Sequence, residues 1–144
     1  MKVKIKKLHP DAVIPKYAKN GDAGMDIVAI KIERDPIGNH VYSTGLAFEI
    51  PKGYFMMLLP RSSNANKDLI LTNHCGIVDS GFRGEVKFKY REYFVKEDEQ
   101  PYLYEIGDRI GQLIIMPYPQ IEFEEVKELS ETERGSGGYG STGK

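Results

Sequence analysis

The sequence has one cysteine and no tryptophan among its 144 residues. A single cysteine excludes an intrachain disulfide and points to a reducing, cytoplasmic compartment. Three scattered histidines beside it offer poor material for a zinc centre. Long hydrophobic runs are missing too. No stretch approaches the ~20 apolar residues of a membrane helix, and MKVKIKKLHP is basic without the apolar core of a signal peptide. Charge of one sign is also lacking: 20 Lys and Arg face 21 Asp and Glu, a formal net charge of −1. That balance removes any broad electrostatic case for nucleic acid or a membrane surface, so a bound anion must be held by local groups. Catalytic signatures are equally sparse. There is no G-x-S-x-G elbow, and GSTGK near the C-terminus lacks the spacing of a Walker loop. Cys75 stands beside His74, but neighbours on a strand point to opposite faces, so the pair does not form a thiol–imidazole couple and Cys75 reads as a small core residue. What remains is a soluble chain of single-domain length, large enough to bury a core without staples.

What is present is mostly alternation. Val3 and Ile5 alternate with lysines; Val28, Ile30 and Ile32 flank Ala29 and Lys31; Leu46, Phe48 and Ile50 lead into Pro51. Val86, Phe88 and Tyr90 stand opposite Glu85, Lys87 and Lys89, and Ile121 and Phe123 alternate with glutamates. Each run is short and bounded by Gly, Pro, Asn or Asp, the pattern of strands joined by turns. YFMMLLP and QLIIMP are continuous apolar runs that end at proline, as strands covered on both faces do. SNANKDLI is the one stretch suited to a short helix, with Ser62 or Ser63 as its cap. The expectation is an all-β sandwich or barrel with at most one short helix. KYREYFVKEDEQPYLYEIGD reads as an extended hairpin with the charged KEDEQP at its tip, a solvated surface or a contact for a partner. ELSETERGSGG loses all apolar periodicity. The reading is therefore a folded domain over residues 1–129 and a flexible C-terminal segment over 130–144, ordered only when something binds.

Five segments carry chemistry-bearing residues. In the tail RGSGGYGSTGK, glycines expose backbone N–H groups, Ser141 and Thr142 add hydroxyls, Arg134 adds a guanidinium and Tyr139 a flat face; this is either a cover for a nucleotide or a frayed terminus. In LLPRSSNANKD, Arg61, Ser62 and Ser63 are consecutive donors directly after a strand. In NHCGIVDSGFRGEVKF, a hairpin is expected with its turn near Asp79-Ser80-Gly81, and Asp79 is either a turn former or a general base. In YEIGDRIGQLIIMP, Gln112 satisfies local backbone or contacts a ligand, and Arg109 pairs with an acid. In NGDAGMDIVAI, Asp22 belongs to a turn, while Asp26 at a strand start offers oxygen to a hard cation.

Taken in order, GDAGMDIVA, PRSSNA, NHCGIVDSGFRGEVKF, GDRIGQL and RGSGGYGSTG resemble the five motifs of the trimeric dUTPases, over most of the chain from about Gly21 to Gly143. The resemblance implies a β jelly roll, a homotrimer with three sites at subunit interfaces, and Mg²⁺-assisted hydrolysis of dUTP to dUMP and pyrophosphate. Such an activity limits uracil incorporation into DNA and supplies dUMP. By motif matching, Asp79 corresponds to the carboxylate that activates the attacking water and touches the deoxyribose. Asn73, Ile77 and Val78 correspond to the uracil-reading hairpin, with Lys87 further along it contributing a backbone contact. Phe82 stands where the family usually has tyrosine under the sugar, and Tyr139 where it usually has a phenylalanine stacked on uracil. Arg61, Ser62, Ser63 and Gln112 match phosphate contacts. Asp26 matches the first-motif aspartate, near the metal through water rather than as a direct ligand. Arg134, Gly140, Ser141 and Thr142 match the cover over the triphosphate, which reaches a neighbouring subunit's site. dCTP deaminase, which shares the fold, and a nucleotide-gated binding protein are the rival readings.

Overall fold

Period-two patterning becomes strand at most positions where the sequence carries it. The computed structural model describes residues 1–93 and 100–138. In chain order its strands are β1 (Lys4–Lys7), β2 (Met25–Val28), β3 (Lys31–Arg34), β4 (His40–Ser43), β5 (Leu46–Glu49), β6 (Tyr54–Leu59), β7 (Leu69–Leu71), β8 (Gly76–Val78), β9 (Lys87–Glu92) and β10 (Arg109–Pro117). All pairings are antiparallel, in one two-stranded sheet, β1-β5, and two four-stranded sheets, β2-β10-β6-β8 and β3-β4-β9-β7. The sole helical element among the described residues is a 3-10 turn over Ser62–Asn66, and none of these residues form a helix long and apolar enough to cross a membrane. This is the all-β architecture expected from the alternation, and the jelly roll that the resemblance implied.

The inward faces of the two larger sheets meet in one core. Ile27, Met56 and Leu113 from one sheet share a cluster with Tyr42, Phe88 and Tyr90 from the other. Each such side chain contributes roughly 1.5–3 kcal/mol by leaving water. Tyr42, Tyr90 and Tyr104 form a knot of edge-on and tilted rings, with centroids 5.8, 6.0 and 5.5 Å apart. Gly111 is required here by close approach: a Cβ on it would lie 2.2 Å from a Phe88 ring carbon. It also sits where the β10–β2 register slips, between Arg109 and Gly111, and that slip sets which face Gln112 presents.

Four local expectations change. The alternation from Val28 to Ile32 is two strands, not one. Ala29 N–H donates to Asp108 O (3.0 Å) and Ile30 N–H to Ser43 O (2.9 Å), so the chain leaves one sheet and enters the other between them. The 3-10 turn starts after Arg61 and has no side-chain cap; Ser62 and Ser63 lie inside it, and Leu69–Ile70 belong to β7. The return leg of the 89–108 excursion does not pair with β9. Tyr102 instead exchanges two hydrogen bonds with Asp68, and of the expected tip KEDEQP (96–101), residues 96–99 lie outside the described residues. Ile121 and Phe123 form no strand; they are 66% and 90% exposed. Alternation makes an edge capable of pairing, and that segment has no strand partner among the described residues.

The apolar runs β6 and β10 are covered on one face only. Met56 and Leu58 are buried, while Phe55, Met57 and Leu59 are half-buried. The same holds along β10, with Leu113 buried and Ile114 and Ile115 half-buried.

Candidate functional site

One row across the β2-β10-β6 sheet gathers three of the five sequence segments. Gln112 on β10 stands opposite Asp26 on β2 and Leu59 on β6. β6 ends at Pro60, and Arg61 follows. The Arg61 guanidinium donates through Nε to Asp26 Oδ1 (2.7 Å) and through Nη1 to Ser63 Oγ (2.9 Å). Arg109 donates through Nη1 to Asp26 Oδ2 (3.2 Å), so the acid expected for Arg109 is Asp26. Two guanidiniums around one carboxylate leave the row with excess positive charge, the condition that draws a polyphosphate. Ser62 is exposed and Ser63 half-buried at the mouth of the same turn.

Gln112 is held rather than free. Its Nε2 donates to Pro60 O at 3.0 Å. The space for its carboxamide comes from Gly24, where a Cβ would sit 2.5 Å from Gln112 Oε1. Gly24 was visible in GDAGMD as a neighbour of Asp26, but nothing in the sequence tied it to Gln112. Asp22 behaves as a turn residue, accepting from Lys19 N–H at 2.8 Å.

The Asp79 segment is built differently from a simple hairpin. Among the described residues β8 pairs only with β6, whereas β9 pairs with β4 and β7 in the other sheet. Residues 79–86 therefore form a turn and a crossing between sheets, and Lys87 is not the partner of Ile77 on a two-stranded ladder. Lys87 opens β9 opposite Ser43, with its ammonium 3.3 Å from Glu85. The turn itself is as expected: Phe82 N–H donates to Asp79 O at 3.1 Å. Arg83 clasps it, donating to Ser80 O (2.7 Å) and Phe82 O (2.9 Å). That clasp was missed in the sequence, which gave Arg83 no role. Asp79 is exposed at the head of the turn. The Phe82 ring folds over Gly84, where a Cβ would fall 2.6 Å from the ring, and stays 45% exposed. Ile77 is 57% exposed and Val78 half-buried. Asn73 packs over the start of β8, its Nδ2 3.4 Å from where a Gly76 Cβ would be. His74 and Cys75 are not on a strand; His74 has φ of 58° and Cys75 N–H donates back to Asn73 O at 2.5 Å, so the loop sharply reverses there.

Within one chain, then, Asp79 and the Arg61 cluster do not meet. Val78 pairs with Met56, so Asp79 leaves the sheet near the level of Phe55, six residues before Arg61, which follows the other end of β6. At about 3.3 Å per residue that is about 20 Å. Arg134 is elsewhere again, in an exposed turn where its Nε donates to Gly137 O at 3.1 Å. Tyr139, Gly140, Ser141 and Thr142 lie outside the described residues.

The chain is a jelly roll with a cationic row beyond one end of a sheet and an exposed carboxylate on a clasped turn, and comparison with known proteins gives its class. Residues 11–143 match the family model for dUTPase. The deoxyuridine 5'-triphosphate nucleotidohydrolase of Nautilia profundicola is 42% identical, covering 100% of both chains. That of Wolinella succinogenes is 40% identical over 100% of this chain and 95% of its own. A mutant dUTPase of Staphylococcus bacteriophage 80alpha, solved with dUpNHpp, superposes with a TM-score of 0.80 at 27% identity, covering 99% of this chain and 98% of that one. The chain belongs to the dUTPase family, and the reaction it catalyses is hydrolysis of dUTP.

Proposed function

We propose that the chain hydrolyses dUTP to dUMP and pyrophosphate in centres shared between the subunits of a homotrimer, with Asp79 as general base. The carrying observation is the separation of about 20 Å along β6 between Asp79 and Arg61. Two groups that must serve one α-phosphorus cannot do so from one chain at that distance. Closed symmetric assembly resolves it, because each interface then joins the Asp79 turn of one copy to the Arg61 row of another. The exposed Ile121, Phe123 and Leu129 support the same reading: they are apolar surface that a neighbouring copy would cover. The edge of β1, which pairs only with β5 among the described residues, carries Lys4, Lys6 and Lys7 and suits the acidic IEFEEV run of such a neighbour.

In this reading the uracil edge meets main chain of Ile77, Val78 and Asp79 and the amide of Asn73. The deoxyribose rests on Phe82, which excludes a 2′-hydroxyl by contact. Arg61, Ser62 and Ser63 take phosphate oxygens, with Gln112 bracing the row through its bond to Pro60. Asp79 accepts a proton from water; the water oxygen bonds to the α-phosphorus, and the bridging α–β bond breaks to release pyrophosphate. Arg134 with Tyr139, Gly140, Ser141 and Thr142 closes over the nucleotide and excludes bulk solvent. Residues 1–129 form the catalytic body and 130–144 the closing segment. Supply of dUMP and removal of dUTP, in the cytoplasm, are the cellular consequences.

Among the described residues no cluster of three or more His, Cys, Asp or Glu is placed to hold a metal. Mg²⁺ needs no such cluster, because it keeps much of its water and is usually carried by phosphate oxygens with one or two carboxylates. Asp26 would hold it through water while keeping its two arginines. The ion supplies neutralisation of charge on the phosphates. The dUTPase of phage phi11, 23% identical, has a structural Mg(II) ion. The test is pyrophosphate release across the dNTPs, with and without Mg²⁺ and with ammonia monitored alongside. Pyrophosphate from dUTP alone is expected; ammonia from dCTP would move the chain to the deaminases.

A further inference from the structure

The turn that carries Arg61, Ser62 and Ser63 has little of its own to hold it. It is five residues of 3-10 geometry with no side-chain cap and no buried residue, and such short turns are not self-sufficient. Two side chains outside the five family-like motifs fasten it to the core. Lys67, immediately after the turn, donates through Nζ to Leu103 O at 2.6 Å. Its ammonium lies 3.7 Å from the centre of the Tyr102 ring and 4.9 Å from that of Tyr104, with Asp108 at 3.9 Å. The side chain is only 11% exposed. Tyr104 donates its hydroxyl to Asn64 Oδ1, in the middle of the turn, at 3.0 Å. Asn64 is held from the other side, donating to Leu69 O at 2.8 Å. Tyr104 itself is immobilised in the tyrosine knot and is 4% exposed.

We infer that Lys67 and Tyr104 are positioning residues for the triphosphate: they fix the 61–66 turn so that Arg61 and Ser63 present a preformed pair of donors. The inference rests on the phosphate role proposed above for Arg61. Preformed donors matter because polyphosphate is then bound without first ordering the turn. Burial pushes the Tyr104 phenol up, against the opposing pull of the Arg61 charge, so its hydroxyl remains a donor at neutral pH.

The test measures steady-state kinetics for dUTP in Lys67→Met, Lys67→Arg and Tyr104→Phe, with deoxyuridine affinity by calorimetry and folding by circular dichroism. Loss of a hydrogen bond from a charged donor predicts a rise in KM of about tenfold for Lys67→Met. Tyr104→Phe is expected to raise KM about threefold, and Lys67→Arg to recover most of the loss. Deoxyuridine, which lacks phosphate, should bind all variants equally. A merely structural role lowers kcat with the folded fraction and leaves KM alone; that pattern, or a matching loss of deoxyuridine affinity, overturns the inference. Arg61→Ala separates it from the reading beneath. If Arg61→Ala raises KM and Lys67→Met does not, the positioning role alone fails. If Arg61→Ala changes neither parameter, the phosphate role of the row fails first.

Discussion

Asp79 and Arg61 sit at opposite ends of β6, about 20 Å apart, and this separation makes a quantitative prediction about mixed assemblies. Asp79→Asn removes the base and Arg61→Ala removes a donor to phosphate. Each pure variant should retain on the order of 10⁻² of the parent rate or less. If equal amounts are unfolded together in urea and refolded, chains mix at random. A shared centre is intact when the chain giving Asp79 is the Arg61→Ala variant and the chain giving Arg61 is the Asp79→Asn variant. Each condition holds half the time, so about one quarter of centres recover under closed symmetry. The mixture should therefore regain about 25% of parental turnover, far above either component. If both groups served a centre within one chain, every centre in every mixture would carry a lesion. Pyrophosphate release on the refolded mixture, with light scattering to confirm equal assembly size, measures the difference. A rate equal to the mean of the two pure variants would refute the shared centre.

Three further outcomes follow from the same structure. Deleting residues 134–144 should abolish most turnover while leaving the thermal midpoint unchanged within error, because residues 134–138 bond only locally among the described residues; a collapse of the midpoint would make the segment structural. Gly111→Ala drives a methyl to 2.2 Å from the Phe88 ring, and since that ring is core it should cost about 1–3 kcal/mol in urea unfolding; a neutral result would mean the sheets separate easily there. The Asn39 carboxamide, then the Asn39 N–H and the Lys89 ammonium, hold the Asp35 carboxyl down to about 2. Its contribution is present above the usual carboxylate value of about 3.9 and lost as pH falls toward about 2, so the parent should lose more stability than Asp35→Asn across that window. Parallel urea midpoints would contradict it.

The fold was legible because one-sided burial writes a period of two, which β1, β5 and β9 carry, while β6 and β10 were readable as apolar runs ending at proline. Strand partners were not legible. Ala29 and Ile30 continue the same alternation while the chain changes sheets, so the pattern has no mark where hydrogen bonding changes hands. The Asp79 turn was readable from Asp, Ser and Gly, but its neighbours were not, because a turn signal says where the chain reverses and not what it then lies beside. Ile121 and Phe123 show the same limit from the other side: they alternate like a strand, yet they are exposed and form none among the described residues. Asp26, Arg61 and Gln112 were each readable only as weak local options. Their convergence required a register, Gln112 opposite both Asp26 and Leu59, that no local pattern encodes.

The tyrosine knot gives the protein a built-in optical gauge. Burial pushes the Tyr42 phenol up to about 12 and Tyr90 further. Burial raises Tyr104 as well, and the sequence has no indole to mask these phenols. They should ionise only as the sheets part, so the last rise in phenolate absorbance on alkaline titration reports the opening of the core without any label.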